Sequence, residues 1–219
     1  MRKKLIAALL AVAASAGVAA AVLQPAADPS SAEAWEIGPI ERQVSDSIGM
    51  PAQPTQGRRG WFFDFPYPNV GAGHVHYVTF QHGPLTGKRR IVMRYRIDSA
   101  RGVRFVPRQQ PQAPATVSLY FQRRGDNWTG RGRYGGYRWY APVQSIRQLA
   151  PGEHEMVVDI DGGWTSVMGI PASQHPRAFR EAMADADRVG FVLGSRDLRG
   201  HGVFATGPAR LTVLSFRVI

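Results

Sequence analysis

No cysteine occurs among the 219 residues, which excludes a disulfide scaffold, a thiolate metal site and a cysteine-linked lipid anchor. Stability must therefore come from packing. Lysine is scarce too: beyond Lys3 and Lys4 only Lys88 occurs, so nearly all positive charge is guanidinium, which stacks on rings and forks onto carboxylates and phosphates. No G-x-S-x-G elbow is present, and Ser195, in LGSRD, lacks the second glycine that motif needs. Phosphate loops and dinucleotide fingerprints are missing, because GRGRYGG has no strand-to-helix setting. No repeat of solenoid or propeller period is visible.

Carboxylates offer no marked catalytic pair. Asp64, Asp126, Asp159, Asp161 and Asp197 stand beside glycine, proline or strand ends, where aspartate commonly caps turns. No catalytic residue and no cofactor are assigned, and the chain reads as a binder rather than an enzyme.

What is present begins with a basic start, Arg2, Lys3 and Lys4, followed by an alanine-rich apolar run from Leu5 to Leu23 with small residues near its end. This pattern predicts a secretory signal over 1–25 and a periplasmic or secreted protein, with membrane contact only if the signal stays uncleaved. Without those three charges, 24 basic residues face 16 acidic ones, a balance that suits an anionic partner as well as an arginine-favouring genome.

Residues 26–60, rich in Pro, Ala, Ser and Gln, read as a partly ordered linker in which Trp35, Ile37 and Ile40 start an edge strand. PAQPTQGRRG reads as loop. From Trp61 to the C-terminus, short alternating runs predict one all-β domain over 61–219. Ile91, Met93, Tyr95 and Ile97 share one face of RIVMRYRI, and Val117, Leu119 and Phe121 share one face of TVSLYFQ. Met156, Val158 and Ile160 do so in HEMVVDI, and Leu214, Phe216 and Val218 in RLTVLSFRV. One short helix is predicted near 175–188, with Pro176 in its first turn and Gly190 just past its end. Many short strands with one crossover helix predict an antiparallel β-sandwich.

The segment from Gly162 to Ile219 resembles the C-terminal half of galactose-binding-like jelly rolls, the fold of many carbohydrate-binding modules. The shared features are the Trp-Thr-Ser-Val-Met-Gly turn at Trp164, the helix with Phe179, the strand VGFVLG, the GHGV turn at Gly200–Val203 and a closing strand. The resemblance extends over about residues 60–219 and implies a non-catalytic binding module. It carries over no ligand residues position by position.

The stretch RRGDNWTGRGRYGGYRWYA, residues 123–141, holds five arginines and five large aromatics with almost no aliphatic side chains. Its ends predict a hairpin, with Tyr137 and Trp139 on one face and Arg138 and Tyr140 on the other. Its loop offers rings and polar groups of the kind that hold a sugar: Trp128 and Tyr134 to stack, with Arg124, Asp126, Asn127 and Arg138 to hydrogen-bond hydroxyls. The expected partner is a glycan or an anionic envelope polymer; nucleic acid is set aside because an exported protein seldom meets it. An alternative is a cupin-like metal-dependent enzyme, because His74 and His76 alternate on one strand with His82 following, although the acidic residue that pattern needs is replaced by Phe80 and Gln81. A third is a structural envelope protein. His201, between two glycines, reads as part of a tight turn.

Overall fold

The computed structural model describes residues 27–41, 44–68 and 75–219. The expected secretory segment and His74 lie outside the described residues. Among those residues no helix is long and apolar enough to cross a membrane.

The strands, in chain order, are β1 (Trp35–Gly38), β2 (Ile40–Glu41), β3 (Val44–Ser45), β4 (Thr55–Gly57), β5 (Gly60–Asp64), β6 (His76–Gln81), β7 (Arg90–Ser99) and β8 (Phe105–Pro107). They continue with β9 (Thr116–Arg123), β10 (Arg138–Tyr140), β11 (Arg147–Gln148), β12 (Gly152–Asp159), β13 (Thr165–Ser166), β14 (Ala186–Gly194), β15 (Val203–Ala205) and β16 (Ala209–Val218). The single α-helix among the described residues, α1, is Pro176–Ala184. A seven-stranded sheet runs β1-β6-β14-β9-β10-β13, with β11 also on β9; a five-stranded sheet runs β12-β7-β16-β5-β4. All pairings are antiparallel. The described residues form an all-β antiparallel sandwich with one short α-helix.

The core lies between the inner faces of the two sheets. From the seven-stranded sheet come Trp35, Val78, Phe80, Leu119, Phe121 and Phe191; from the five-stranded sheet come Trp61, Phe63, Met93, Tyr95, Leu211 and Phe216. Ring pairs cross the gap: Trp61 stacks on Phe191 with centroids 6.3 Å apart, and Trp35 meets Phe216 edge-on at 5.1 Å. Each such ring, truncated to alanine, is worth about 3–5 kcal/mol. The Pro29 carbonyl accepts hydrogen bonds from both indoles, Trp35 Nε1 at 3.0 Å and Trp61 Nε1 at 3.1 Å. The first described segment is thereby fastened to the core, and β1 forms an edge of the seven-stranded sheet.

Three local features depart from simple alternation. β16 bulges between Val213 and Ser215, so Leu211, Val213 and Phe216 face inward while Leu214, expected on the same face as Phe216, turns out. Gly60 explains the fit: its φ is +91°, and a Cβ there would stand 1.9 Å from the Val213 carbonyl oxygen. The helix ends at Ala184, short of the expected 188, because Ala186–Gly194 is claimed by β6 and β9. Gly190 is accordingly no helix cap. It sits within β14, where a Cβ would fall 2.0 Å from the Val78 carbonyl oxygen.

The helix opens on Pro176, carries an Arg177–Glu181 ion pair one turn apart at 2.8 Å, and buries Phe179 against Trp139 and Phe121. It closes one end of the core beside the β9–β10 hairpin.

Candidate functional site

The hairpin forms as its sequence predicts: Arg138 pairs with Gln122, Trp139 with Phe121 and Tyr140 with Tyr120. Alternation then sends Trp139 into the core and Arg138 and Tyr140 to the outer face of the seven-stranded sheet. That outer face is covered as well. Tyr77, Tyr120, Tyr140 and Val192 form a second buried cluster, with Trp128 and Val167 packed against it. The Tyr77 and Tyr140 hydroxyls are 2.7 Å apart, whereas the fully buried Tyr120 hydroxyl has no hydrogen-bond partner among the described residues. Burial pushes the pKa of all three tyrosines up.

The loop 124–137 roofs this cluster through an internal network. Asp126 Oδ2 lies 2.9 Å from Arg138 Nε, with the two side chains 0% and 8% exposed, and it accepts a hydrogen bond from Gln122 Nε2 at 3.0 Å. Arg138 Nη2 donates to the Trp128 carbonyl at 2.8 Å, and its guanidinium lies 5.1 Å from the Trp128 ring centroid. Trp128 is half-buried with its ring edge-on to Tyr77, and its φ of +62° is unusual for any residue but glycine. The two charged partners respond differently. Burial raises the Asp126 pKa despite Arg138, the backbone amide of Trp128, Gln122 and the amide of Asn127. Burial pulls Arg138 down, but the oxygens of Tyr77, Tyr140, Tyr120 and Asp126 more than offset this and hold it charged.

The six residues expected to bind ligand are thus distributed as follows. Asp126 and Trp128 line a small polar cleft of about 170 Å³, together with Gln122, Glu36, Asp187 and Arg188. Arg138 lies beneath Trp128. Arg124 is exposed and turned to Asp185 and Asp187, at 3.5 and 3.6 Å. Asn127 Oδ1 closes a local turn by accepting from the Thr129 backbone N–H and hydroxyl. Tyr134, beside Tyr137 and covered by the Arg133 guanidinium, is not a cleft residue.

One acceptor at the cleft is unmatched. Gln122 Oε1 is buried with no hydrogen-bond partner among the described residues, whereas the buried Asp126 carboxylate is held by Arg138, Gln122 and the backbone amides of Trp128 and Asn127. Beside them Arg188 pairs with Glu36 at 3.2 Å. Glu36, Gln122 and Arg188 come from three different strands, and nothing in their local sequence marks them; only the strand order brings them to one place.

The residues named for metal binding are divided. His76 faces the core, where its Nδ1 accepts the Val203 N–H at 3.1 Å. His82 is half-buried with Nδ1 3.1 Å from the Gly83 carbonyl oxygen, and burial lowers its pKa. Among the described residues no group of three or more His, Asp or Glu side chains is placed to hold a metal ion. His201 occupies a tight turn in which Gly200 and Gly202 both have positive φ. Ser195 is buried and hydrogen-bonds to Gln110 and to the Leu198 amide.

A scan against protein-family models finds no match for the chain, and no curated protein matches it.

Proposed function

We propose that the chain is an exported, non-catalytic module that binds carbohydrate, working in the periplasm or outside the cell, with its ligand seated in the cleft beside Trp128. One observation carries the reading: Gln122 Oε1, buried and without a hydrogen-bond partner among the described residues, adjoins a polar cleft that Asp126 also lines and that an indole walls. An unmatched buried acceptor costs about 1–3 kcal/mol. A sugar hydroxyl supplies the missing donor while a pyranose face rests on the ring. Entry requires the Trp128 segment to move off the acceptor, and that segment is flanked by Gly125 and Gly130, both at positive φ.

The resemblance of residues 60–219 to galactose-binding-like jelly rolls supports a binder. So does the state of the carboxylates: Asp64, Asp126 and Asp159 are each held by an arginine rather than facing one another across a cleft. The signal-like start supports export.

The test is a glycan array probed with the native chain and with Trp128→Ala, far-UV circular dichroism confirming that the variant folds. Specific hits that disappear in the variant support the cleft. A blank array, or hits that the variant retains in full, overturns it.

A further inference from the structure

The outer face of the five-stranded sheet carries a second feature, on the side of the sandwich opposite the Trp128 cleft. There β4, β5, β7 and β16 form the floor of an open groove of about 1240 Å³. Its lining includes Arg58, Arg59, Arg96 and Arg210 against two acids, Asp64 and Asp98. Each acid is bound to an arginine. Asp64 holds Arg210 by two contacts, Oδ1 to Nε at 2.7 Å and Oδ2 to Nη2 at 3.0 Å, and Asp98 holds Arg96 at 2.9 Å. Arg58 and Arg59 are exposed on the β4–β5 turn, and among the described residues neither makes an ion pair. The groove therefore keeps a net positive charge of about two.

Arg210 is also placed before any ligand arrives. Its guanidinium carbon lies over Phe62, 3.7 Å from the ring centroid, so ring and carboxylate together hold it. A guanidinium already fixed loses little entropy when it binds an anion. Apolar surface accompanies the charge: Tyr67 is 49% exposed, and Leu214, displaced outward by the β16 bulge, lines the same groove.

From this we infer that the groove binds a segment of a carboxylate-bearing polysaccharide, a polyuronate. Its pyranose faces rest on Tyr67 and Leu214, and its carboxylates engage Arg58 and Arg59, with Arg210 and Arg96 presenting their remaining N–H groups. An acidic sugar chain is the occupant that matches both surfaces, since a polyphosphate lacks the apolar face and a neutral glucan lacks the charge. The groove is separate from the Trp128 cleft and stands or falls independently of it.

The experiment measures binding of polygalacturonic acid to the full chain by isothermal titration calorimetry, at low salt and at 0.5 M NaCl, with a neutral glucan and single-stranded oligodeoxythymidine as comparisons. Native protein is expected to bind the polyuronate, more weakly at high salt because exposed charges are screened, and to ignore the glucan. The double variant Arg58→Glu/Arg59→Glu, on an exposed turn, is expected to lose roughly tenfold or more in affinity with an unchanged far-UV spectrum. Tyr67→Ala is expected to lose several-fold. Equal or tighter binding of the oligonucleotide, or retention of polyuronate binding by the double variant, overturns the inference. Indifference to Tyr67→Ala reduces the groove to a charge patch and overturns the polysaccharide assignment.

Discussion

The two outer faces of the sandwich differ in kind. β9 is buried along seven of its eight residues, whereas β12 on the other sheet alternates, with Met156 and Val158 inward and Glu155, Val157 and Asp159 exposed. One face carries tyrosines under a loop; the other carries cross-strand ion pairs in water, such as Arg90–Asp159 at 2.6 Å with the side chains 46% and 59% exposed. The same chemistry has different weight in the two places. A carboxylate–guanidinium pair sealed beneath Trp128 is strongly coupled, and a surface pair of shorter distance is screened to about 0–1 kcal/mol.

The largest test of that contrast is alkaline titration. Tyr77, Tyr120 and Tyr140 have pKa values raised by burial, and Tyr95, in the main core, is pushed up to about 12. A phenol whose folded pKa exceeds its unfolded value near 10 contributes stability that is complete below about pH 10 and is lost as pH climbs through the folded value. Absorbance at 295 nm is therefore expected to show these four of the seven tyrosines ionising late, together with loss of near-UV circular dichroism. Ionisation of all seven near pH 10 in a folded protein would break the picture of a sealed outer face.

Asp126→Ala comes next. It strands the buried Arg138 charge, and urea denaturation is expected to show a loss of about 3–5 kcal/mol. Tyr120→Phe acts in the opposite direction: it deletes a hydroxyl with no partner, and a gain of about 1 kcal/mol is expected by the same measurement. A loss of that size would mean that the hydroxyl is satisfied. The smallest effect belongs to Asp159→Ala on the open face, about 0–1 kcal/mol and weaker still in high salt. If it matched Asp126→Ala, the distinction between the faces would be gone.

These differences also govern what the sequence could tell. RIVMRYRI and HEMVVDI are legible because one face meets core and the other water, so hydrophobicity and burial share the period of two. TVSLYFQ correctly assigns Val117, Leu119 and Phe121 inward, but Tyr120 is covered by a cluster that Trp128 joins and Gln122 is held by Asp126, and no local pattern announces either. The hairpin over 123–141 was legible from its aromatics and glycines. That Asp126 and Arg138 pair with each other was not, because their partnership depends on the backbone path of Trp128. The groove was hidden for another reason. Arg58 and Arg59 read as loop, and only the placement of β16 between β5 and β7 brings Arg210 and Leu214 beside them.

That placement has a kinetic side. β16 comes after all the other described strands in chain order, yet it occupies the middle of its sheet, joined on one flank to β7 and on the other to β5 through an Arg210–Asp64 contact spanning 146 positions. Until it docks, β5 and β7 have no common neighbour, and each presents unpaired amides and carbonyls to any passing strand. Pairings of such long range form slowly. The sandwich closes when the ten residues of β16 dock as a keystone, so a chain cut before Ala209 is expected to remain an open, aggregation-prone sheet rather than a slightly smaller version of the fold.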